Sequence, residues 1–297
     1  MSSDEQSRKD MLTAALAFVI WGLFPLYWHL LKAVPSEQII AHRIVWSAVL
    51  LCVLLCARQG LQWLRTILAS PRTFWLLGAA SLLIGANWSL YIWAVNAGHV
   101  VETSLGYFIN PLLSVLLGVL VLGERLRRLQ WLAVGIAALG VIWLTWQTGR
   151  APWIAIGLSA TFGVYGLLRK LVKVEPVAGI GVESLFLLLP ALAWLLWVEN
   201  GHGGAFFSGS WGPGVMSLLV LAGAVSAVPL IAFTYGVQRV PLSTVGLLQY
   251  IGPTLQFLTG ILFFREPFGP DRLVGFACIW AALLIFAADG WRVSRRR

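Results

Sequence analysis

The sequence predicts an all-α membrane protein of ten transmembrane helices, built as two inverted five-helix repeats, and three observations lead there. Of the 297 residues, 59% are hydrophobic and only 11% charged, with sixteen Trp and a mean hydropathy of +0.83. Soluble domains carry about 25% charged residues, so this chain lacks the polar groups to cover a globular surface, and disordered chains are poorer in apolar residues. The second observation is a series of apolar runs of bilayer-spanning length. The third is self-similarity at a fixed offset of 142 residues. The net charge of +9 comes without a basic-aromatic groove pattern, so no nucleic-acid partner is expected. Cys52, Cys56 and Cys278 lie in apolar runs and make no disulfide framework.

A helix crosses a bilayer with about 20 mostly apolar residues. Such runs fall at about 11–31, 36–57, 73–97, 103–122 and 129–146, then at about 152–168, 176–198, 214–238, 242–264 and 272–291. The first is too long for a cleavable signal and holds Trp21, Pro25 and Trp28, so it is expected to stay as a helix. The second carries His42 and Arg43, and the third Ser81, Gly85 and Asn87. The fourth opens on Glu102 and meets Pro111 near its middle; the ninth repeats this with Gln249, Tyr250 and Pro253. The seventh carries Glu183 among apolar neighbours. Pro35, Pro71, Pro152, Pro176, Pro213, Pro241, Pro267 and Pro270 mark span edges, where a missing N–H does least harm. Between spans two and three, Leu61, Leu64, Ile67 and Leu68 share a helical face flanked by arginines, which reads as an interfacial helix over about 60–71.

An even number of spans puts both termini on one side. Of the 21 Lys and Arg, sixteen fall in the tails and loops of that side, four (Lys32, Arg150, Arg265, Arg272) on the other, and Arg43 within a span. The asymmetry predicts cytoplasmic termini. The expected organisation is a tail over 1–10, a first repeat over 11–146, a second over 152–291 and a basic tail over 292–297. The repeat rests on aligned pairs: Ser81 with Gly223, Gly85 with Ala227, Phe108 with Tyr250, Pro111 with Pro253, Glu124 with Glu266. Five spans per copy is odd, so the second copy enters the membrane from the opposite side. Inverted repeats are a transporter design with substrate at the repeat interface near the midplane. The small residues of the third and eighth spans are expected at that interface.

The stretches Ala41-His42-Arg43-Ile44-Val45-Trp46-Ser47, Ser104-Leu105-Gly106-Tyr107-Phe108-Ile109-Asn110-Pro111-Leu112 and Gln249-Tyr250-Ile251-Gly252-Pro253-Thr254, with Leu122-Gly123-Glu124-Arg125 and Tyr165-Gly166-Leu167-Leu168-Arg169-Lys170, resemble the RarD group of EamA-type proteins in the drug/metabolite transporter superfamily. The match runs from about Met11 to Trp291. It implies a ten-helix, two-repeat fold in a bacterial inner membrane, with export or exchange of small organic solutes.

Ionisable groups inside a membrane are costly and face a cavity or a partner. Arg43 is expected toward the outer leaflet and Glu183 toward the inner one, each near one mouth of the route and not bridged to the other; the alternative has Arg43 anchoring a loop and Glu183 bonded to a helix end. Tyr107 and Asn110 share a face, and the proline breaks at Pro111 and Pro253 free carbonyls for polar solute, with Gln249 and Tyr250 selecting it by hydrogen bonds. Trp21, Asn87, Trp88, Tyr91 and Tyr165 are expected to line the same cavity. His42 reads as a proton relay or, more simply, as bonded to a backbone carbonyl. Glu124 and Glu266 read as loop residues paired with neighbouring arginines. The chain has no phosphate loop, no zinc signature and no nucleophile elbow, so neither catalytic residues, a metal nor a cofactor is expected. The expected partners are a small organic solute and membrane lipid. The driving force is the solute gradient, exchange or protons, with Glu183 as the proton carrier; oligomers are compatible with the pattern. Two other readings stay open: an intramembrane enzyme acting on lipid, and a non-transporting interaction subunit.

Overall fold

A computed structural model describes residues 3–97, 99–148, 152–265 and 270–294. The regular secondary structure of the described residues is all helical, without strands. The helices are α1 (Ser3–His29), α2 (Ser36–Gln59), α3 (Gln62–Leu68), α4 (Pro71–Asn96), α5 (Val100–Leu120), α6 (Arg128–Thr148), α7 (Trp153–Leu171), α8 (Pro176–Glu199), α9 (Gly212–Arg239), α10 (Leu242–Leu248), α11 (Ile251–Leu262) and α12 (Pro270–Ser294). Among the described residues nine segments are long and apolar enough to cross a membrane, counting Leu242–Leu262 across α10 and α11 as one. The tenth expected span lies in α12, whose described apolar stretch, Leu273–Asp289, falls short of that length.

Three features depart from the sequence reading. The expected tail over 1–10 is helical from Ser3, and Asp10 is packed, accepting hydrogen bonds from Gln6 Nε2 at 2.8 Å and Tyr235 Oη at 3.0 Å. Arg169 and Lys170, expected in a loop, belong to the last turns of α7, and Arg169 is fully buried because Glu183 of α8 meets it there. The interfacial segment forms α3, but it buries Trp63 and Ile67, leaving Leu61 and Leu68 exposed.

Prolines act differently from one helix to the next. Pro111 lies inside a continuous α5, so the expected break there is absent. A proline removes one ladder bond and crowds the carbonyl four residues back, which a packed helix tolerates with a kink. The ninth span does break, at Gln249–Tyr250 between α10 and α11 and just ahead of Pro253, and the Gln249 carbonyl is satisfied by the amide of Gly252 at 3.1 Å. In α1, Pro25 leaves the Trp21 carbonyl without its ladder partner, and Gln256 Nε2 of α11 donates to that oxygen at 3.2 Å.

Contacts between side chains and loops fix which helix ends meet. At one end of the bundle Tyr235 reaches Asp10, Lys170 Nζ donates to the carbonyls of Val237 and Val240, Glu124 binds the start of α10, and Arg127 meets Asp289. This end therefore gathers the start of α1 and the end of α12, and is called here the termini end. At the far end Gln38 donates to the Gly203 carbonyl, Tyr27 to that of Leu218, and Trp93 packs on Trp153. Thus α1 and α7 run in opposite directions, as do α2 and α8.

The packing interleaves the two halves. α4 packs on α7 as α1 packs on α9; α5 packs on α7 as α10 and α11 pack on α1; α2 packs on α9 as α8 packs on α4. α2 also packs on α8, α5 on α10, and α6 on α12. The small residues expected at the interface lie there: Ser81 Oγ donates to the Glu183 carbonyl at 3.1 Å, and Ser47 Oγ to the Gly223 carbonyl at 2.9 Å. A Cβ on Gly223 would come within 2.5 Å of the Trp46 backbone, so only glycine lets α9 and α2 approach this closely.

Candidate functional site

A cavity of about 390 Å³ lies between the halves, within the roughly 300–1,000 Å³ of small-molecule sites. Each surrounding helix contributes one stripe: Phe18, Trp21, Pro25 and Trp28 from α1; Ser36, Ile39, Ile40 and Arg43 from α2; Ile84, Asn87, Trp88 and Tyr91 from α4; Thr103, Gly106, Tyr107 and Asn110 from α5. Gln249, Gly252, Pro253 and Gln256 supply the wall around the α10–α11 break, and Leu158 and Phe162 come from α7. Steps of three and four residues keep one helix face toward one space. On α1 the stripe runs from Phe18 to Trp28, ten steps or about 15 Å at 1.5 Å per residue. The cavity reaches the far end at Ser36, the first residue of α2. Toward the termini end it stops on an aromatic layer in which Phe233 packs 5.7 Å from Trp21, 5.2 Å from Phe162 and 6.1 Å from Tyr165.

Arg43 is the one charged residue of the described wall. Its guanidinium carbon stands 4.8 Å from the ring centre of Trp88 and 4.9 Å from that of Trp28, and its Nε donates to Ser226 Oγ at 2.7 Å. Cation–π contacts contribute about 0.5–2 kcal/mol each, which holds a cation here without a carboxylate. Tyr91 and Tyr107 stand with rings 6.1 Å apart, both within electrostatic reach of Arg43. Tyr107 is 40% exposed, and that surface is cavity wall. Asn87 faces the cavity while its Nδ2 donates to the Leu158 carbonyl and to Thr161 Oγ1, both at 2.8 Å, tying α4 to α7.

Of the site residues expected from sequence, Trp21, Arg43, Asn87, Tyr91, Tyr107, Asn110, Gln249 and Pro253 come together in this wall. Tyr165, Glu183, Tyr250 and Pro111 do not. Tyr165 belongs to the aromatic layer itself, fully buried, and donates to Glu183 Oε2 at 3.1 Å. Glu183 Oε1 forms an ion pair with Arg169 Nη1 at 3.0 Å, and Arg169 Nε donates to Thr234 Oγ1 at 3.2 Å. Gly179 makes the space: a Cβ there would lie 2.6 Å from both terminal guanidinium nitrogens. Glu183 borders a cleft of about 20 Å³, room for a single water, which shares Ile84, Trp88 and Leu230 with the main cavity. The bridge between Arg43 and Glu183, not expected from sequence, is not formed. Tyr250 is fully buried and donates to the Phe108 carbonyl at 3.2 Å. His42 lies against Phe206 at 4.6 Å with neither ring nitrogen hydrogen-bonded among the described residues, so the expected carbonyl partner is absent. Trp28, Phe162 and Gln256 were not singled out from sequence; counting three or four residues from Pro25 and Pro253 would have found the first and last.

At the termini end Glu124 joins the two halves. Rather than pairing with neighbouring arginines, it accepts from the amides of Leu242 at 2.6 Å and Ser243 at 2.8 Å and from Ser243 Oγ at 2.7 Å, with Lys170 Nζ at 3.9 Å. The first amides of a helix have no intrahelical partner, so a carboxylate from the first half caps α10 of the second. Its repeat partner, Glu266, lies outside the described residues.

These features define a multi-pass helical membrane protein built around a solute-sized cavity shared by both halves. The chain belongs to the EamA-like transporter family, whose pattern matches it twice, over residues 8–146 and 150–288. It is 45% identical to an uncharacterized transporter of Vibrio cholerae, covering 99% of this chain and 97% of that one, and 43% identical to Protein RarD of Escherichia coli, covering 98% of each. The Bacillus subtilis uncharacterized transporter YojE is 46% identical over 95% of this chain and 94% of its own. A solved crystal structure shares the fold, with a TM-score of 0.70 at 20% identity, covering 94% of this chain and 97% of that one.

Proposed function

We propose that this transporter moves a small organic solute across the bacterial inner membrane by alternating access, using two inverted five-helix repeats over 11–146 and 152–291, with the termini end in the cytoplasm. One observation carries the reading. Under the 142-residue offset α1 corresponds to α7 and α4 to α9; α7 packs on α9, whereas α1 and α4 make no comparable packing and have the cavity between them. Two similar halves thus hold two arrangements, and exchanging them would close the far end and open the termini end. The repeat itself is supported by the antiparallel course of counterpart helices and by Tyr250 bonding to Phe108, its own counterpart, as residues on a two-fold axis do. The basic termini side supports the orientation.

Export, uptake or exchange would run through the same cycle. Glu183 serves poorly as a proton carrier, because protonating it would strand the buried Arg169 cation; its place in this reading is to lock α7 to α8. Purified protein in liposomes is expected to accelerate solute flux without ATP, and Tyr107→Ala to slow it while the folded fraction stays constant. Flux equal to that of protein-free liposomes for every solute tried, or full flux in Tyr107→Ala, would remove the transport reading or the site respectively.

A further inference from the structure

We propose that the cavity selects monoanionic solutes, a carboxylate on an apolar and preferably planar body, with Arg43 as the charge-reading residue; this rests on the transport reading above. The described wall holds one cation and no carboxylate. Glu183, bordering the adjoining cleft, is already neutralised by Arg169, and Glu102, next to the wall residue Thr103, pairs with His99; no carboxylate lies at ion-pair distance from Arg43 among the described residues. The two flanking tryptophans and Ser226 compensate the guanidinium only in part; a buried charge without a counter-ion remains costly. A single negative charge entering the cavity completes the balance, and a second would be left uncompensated.

Geometry agrees with charge. Ser226 engages Nε, which leaves the terminal nitrogens for the parallel two-bond contact that guanidinium makes with carboxylates. Tyr107 and Tyr91, on the adjoining wall, are hydrogen-bonded to each other, with the Tyr91 hydroxyl accepting and left to donate to the same oxygens. The remaining surface is aromatic and aliphatic, suited to a flat apolar body stacked against Trp28 or Trp88. No carboxylate belongs to the described wall to take an ammonium, so an anion is preferred to the amino acid of the same skeleton.

The test uses the full chain in nanodiscs and four probes of one skeleton: 3-phenylpropanoate, 3-phenylpropanamide, 3-phenylpropylamine and phenylalanine, with hexanoate as an aliphatic anion. Thermal stabilisation and equilibrium binding are expected for one or both carboxylates, at least tenfold tighter than for the amide, amine or amino acid. Arg43→Gln should remove that preference and Arg43→Lys keep part of it. Amide or amine binding as tight as the carboxylates, failure of all five probes, or an unchanged preference in folded Arg43→Gln would overturn the proposal. So would carboxylate binding lost when the discs contain phosphatidylglycerol, which would assign the guanidinium to a lipid headgroup. The wild-type probe series decides the matter even if Arg43→Gln fails to fold. Flux in liposomes separates the two readings: carboxylates that bind but do not move leave this inference standing and remove transport, whereas flux of neutral solutes alone does the reverse.

Discussion

Replacing Glu124 by Gln should loosen the termini end selectively. The carboxylate accepts three hydrogen bonds, one through Oε1 and two through Oε2, all from α10 and its Ser243 hydroxyl. Bonds to a charged acceptor contribute about 1.5–3 kcal/mol and neutral ones about 0.5–1.5 kcal/mol. Glutamine keeps one acceptor oxygen, so two bonds weaken and the third is replaced by an amide facing an N–H. The expected loss is about 2–4 kcal/mol, and since about 1.4 kcal/mol is a factor of ten, the sealed state should fall about 30-fold to a thousandfold relative to its alternative. Hydrogen exchange at the amides of Leu242 and Ser243 should rise by that factor, while protection in α6, away from the contact, stays the same. Unchanged exchange at both amides would refute the reasoning. A uniform loss across the chain would show general unfolding instead of an opened end.

Three further outcomes follow from the same packing. Glu183→Gln should destabilise the protein by about 3–5 kcal/mol by stranding Arg169, whereas Arg169→Met with Glu183→Met should restore most of it; chemical denaturation of the three proteins in mixed micelles checks this, and a double variant no better than Glu183→Gln contradicts it. Gly179→Ala should lower the thermal midpoint, because its Cβ would meet the Arg169 guanidinium at 2.6 Å, and removing that side chain's charge and bulk in the Arg169→Met, Glu183→Met background should relieve most of the effect. Asn87→Ala should cost about 1–3 kcal/mol, leaving the Leu158 carbonyl and Thr161 with lost partners across α4 and α7; a variant of wild-type stability would place Asn87 in solute contact alone.

Much of this architecture is legible in the sequence because the bilayer imposes so narrow a rule. Helix α2 begins at Ser36 and α8 at Pro176 as the apolar runs require. The same rule hid Arg169: a cation at the edge of an apolar run looks like a loop residue, and only its meeting with Glu183 across the α7–α8 turn explains its burial. Site residues with a direction signal, such as Tyr107 with Asn110 on one helical face, fell into the cavity together. Tyr165 shares the face of the wall residues Leu158 and Phe162, but it lies further toward the termini end, packed on Phe162 and Phe233, and spacing along a helix does not say where a cavity stops. The partners of Arg43 and Glu124 come from distant helices, and no spacing along one helix could announce Trp88 beside Arg43 or Ser243 beside Glu124.

Reciprocal accessibility tests the central claim most directly. In a background with Cys52, Cys56 and Cys278 replaced by serine, single cysteines at Ile40, on the cavity wall near the far end, and at Leu167, buried near the end of α7, report on the two openings. An impermeant maleimide applied from the matching side should label Ile40→Cys readily and Leu167→Cys slowly, and adding Glu124→Gln should slow the first as it speeds the second. Labelling at both positions that rises together, or an Ile40→Cys reachable from the termini side in the unaltered protein, would contradict a single cavity opened alternately to either face.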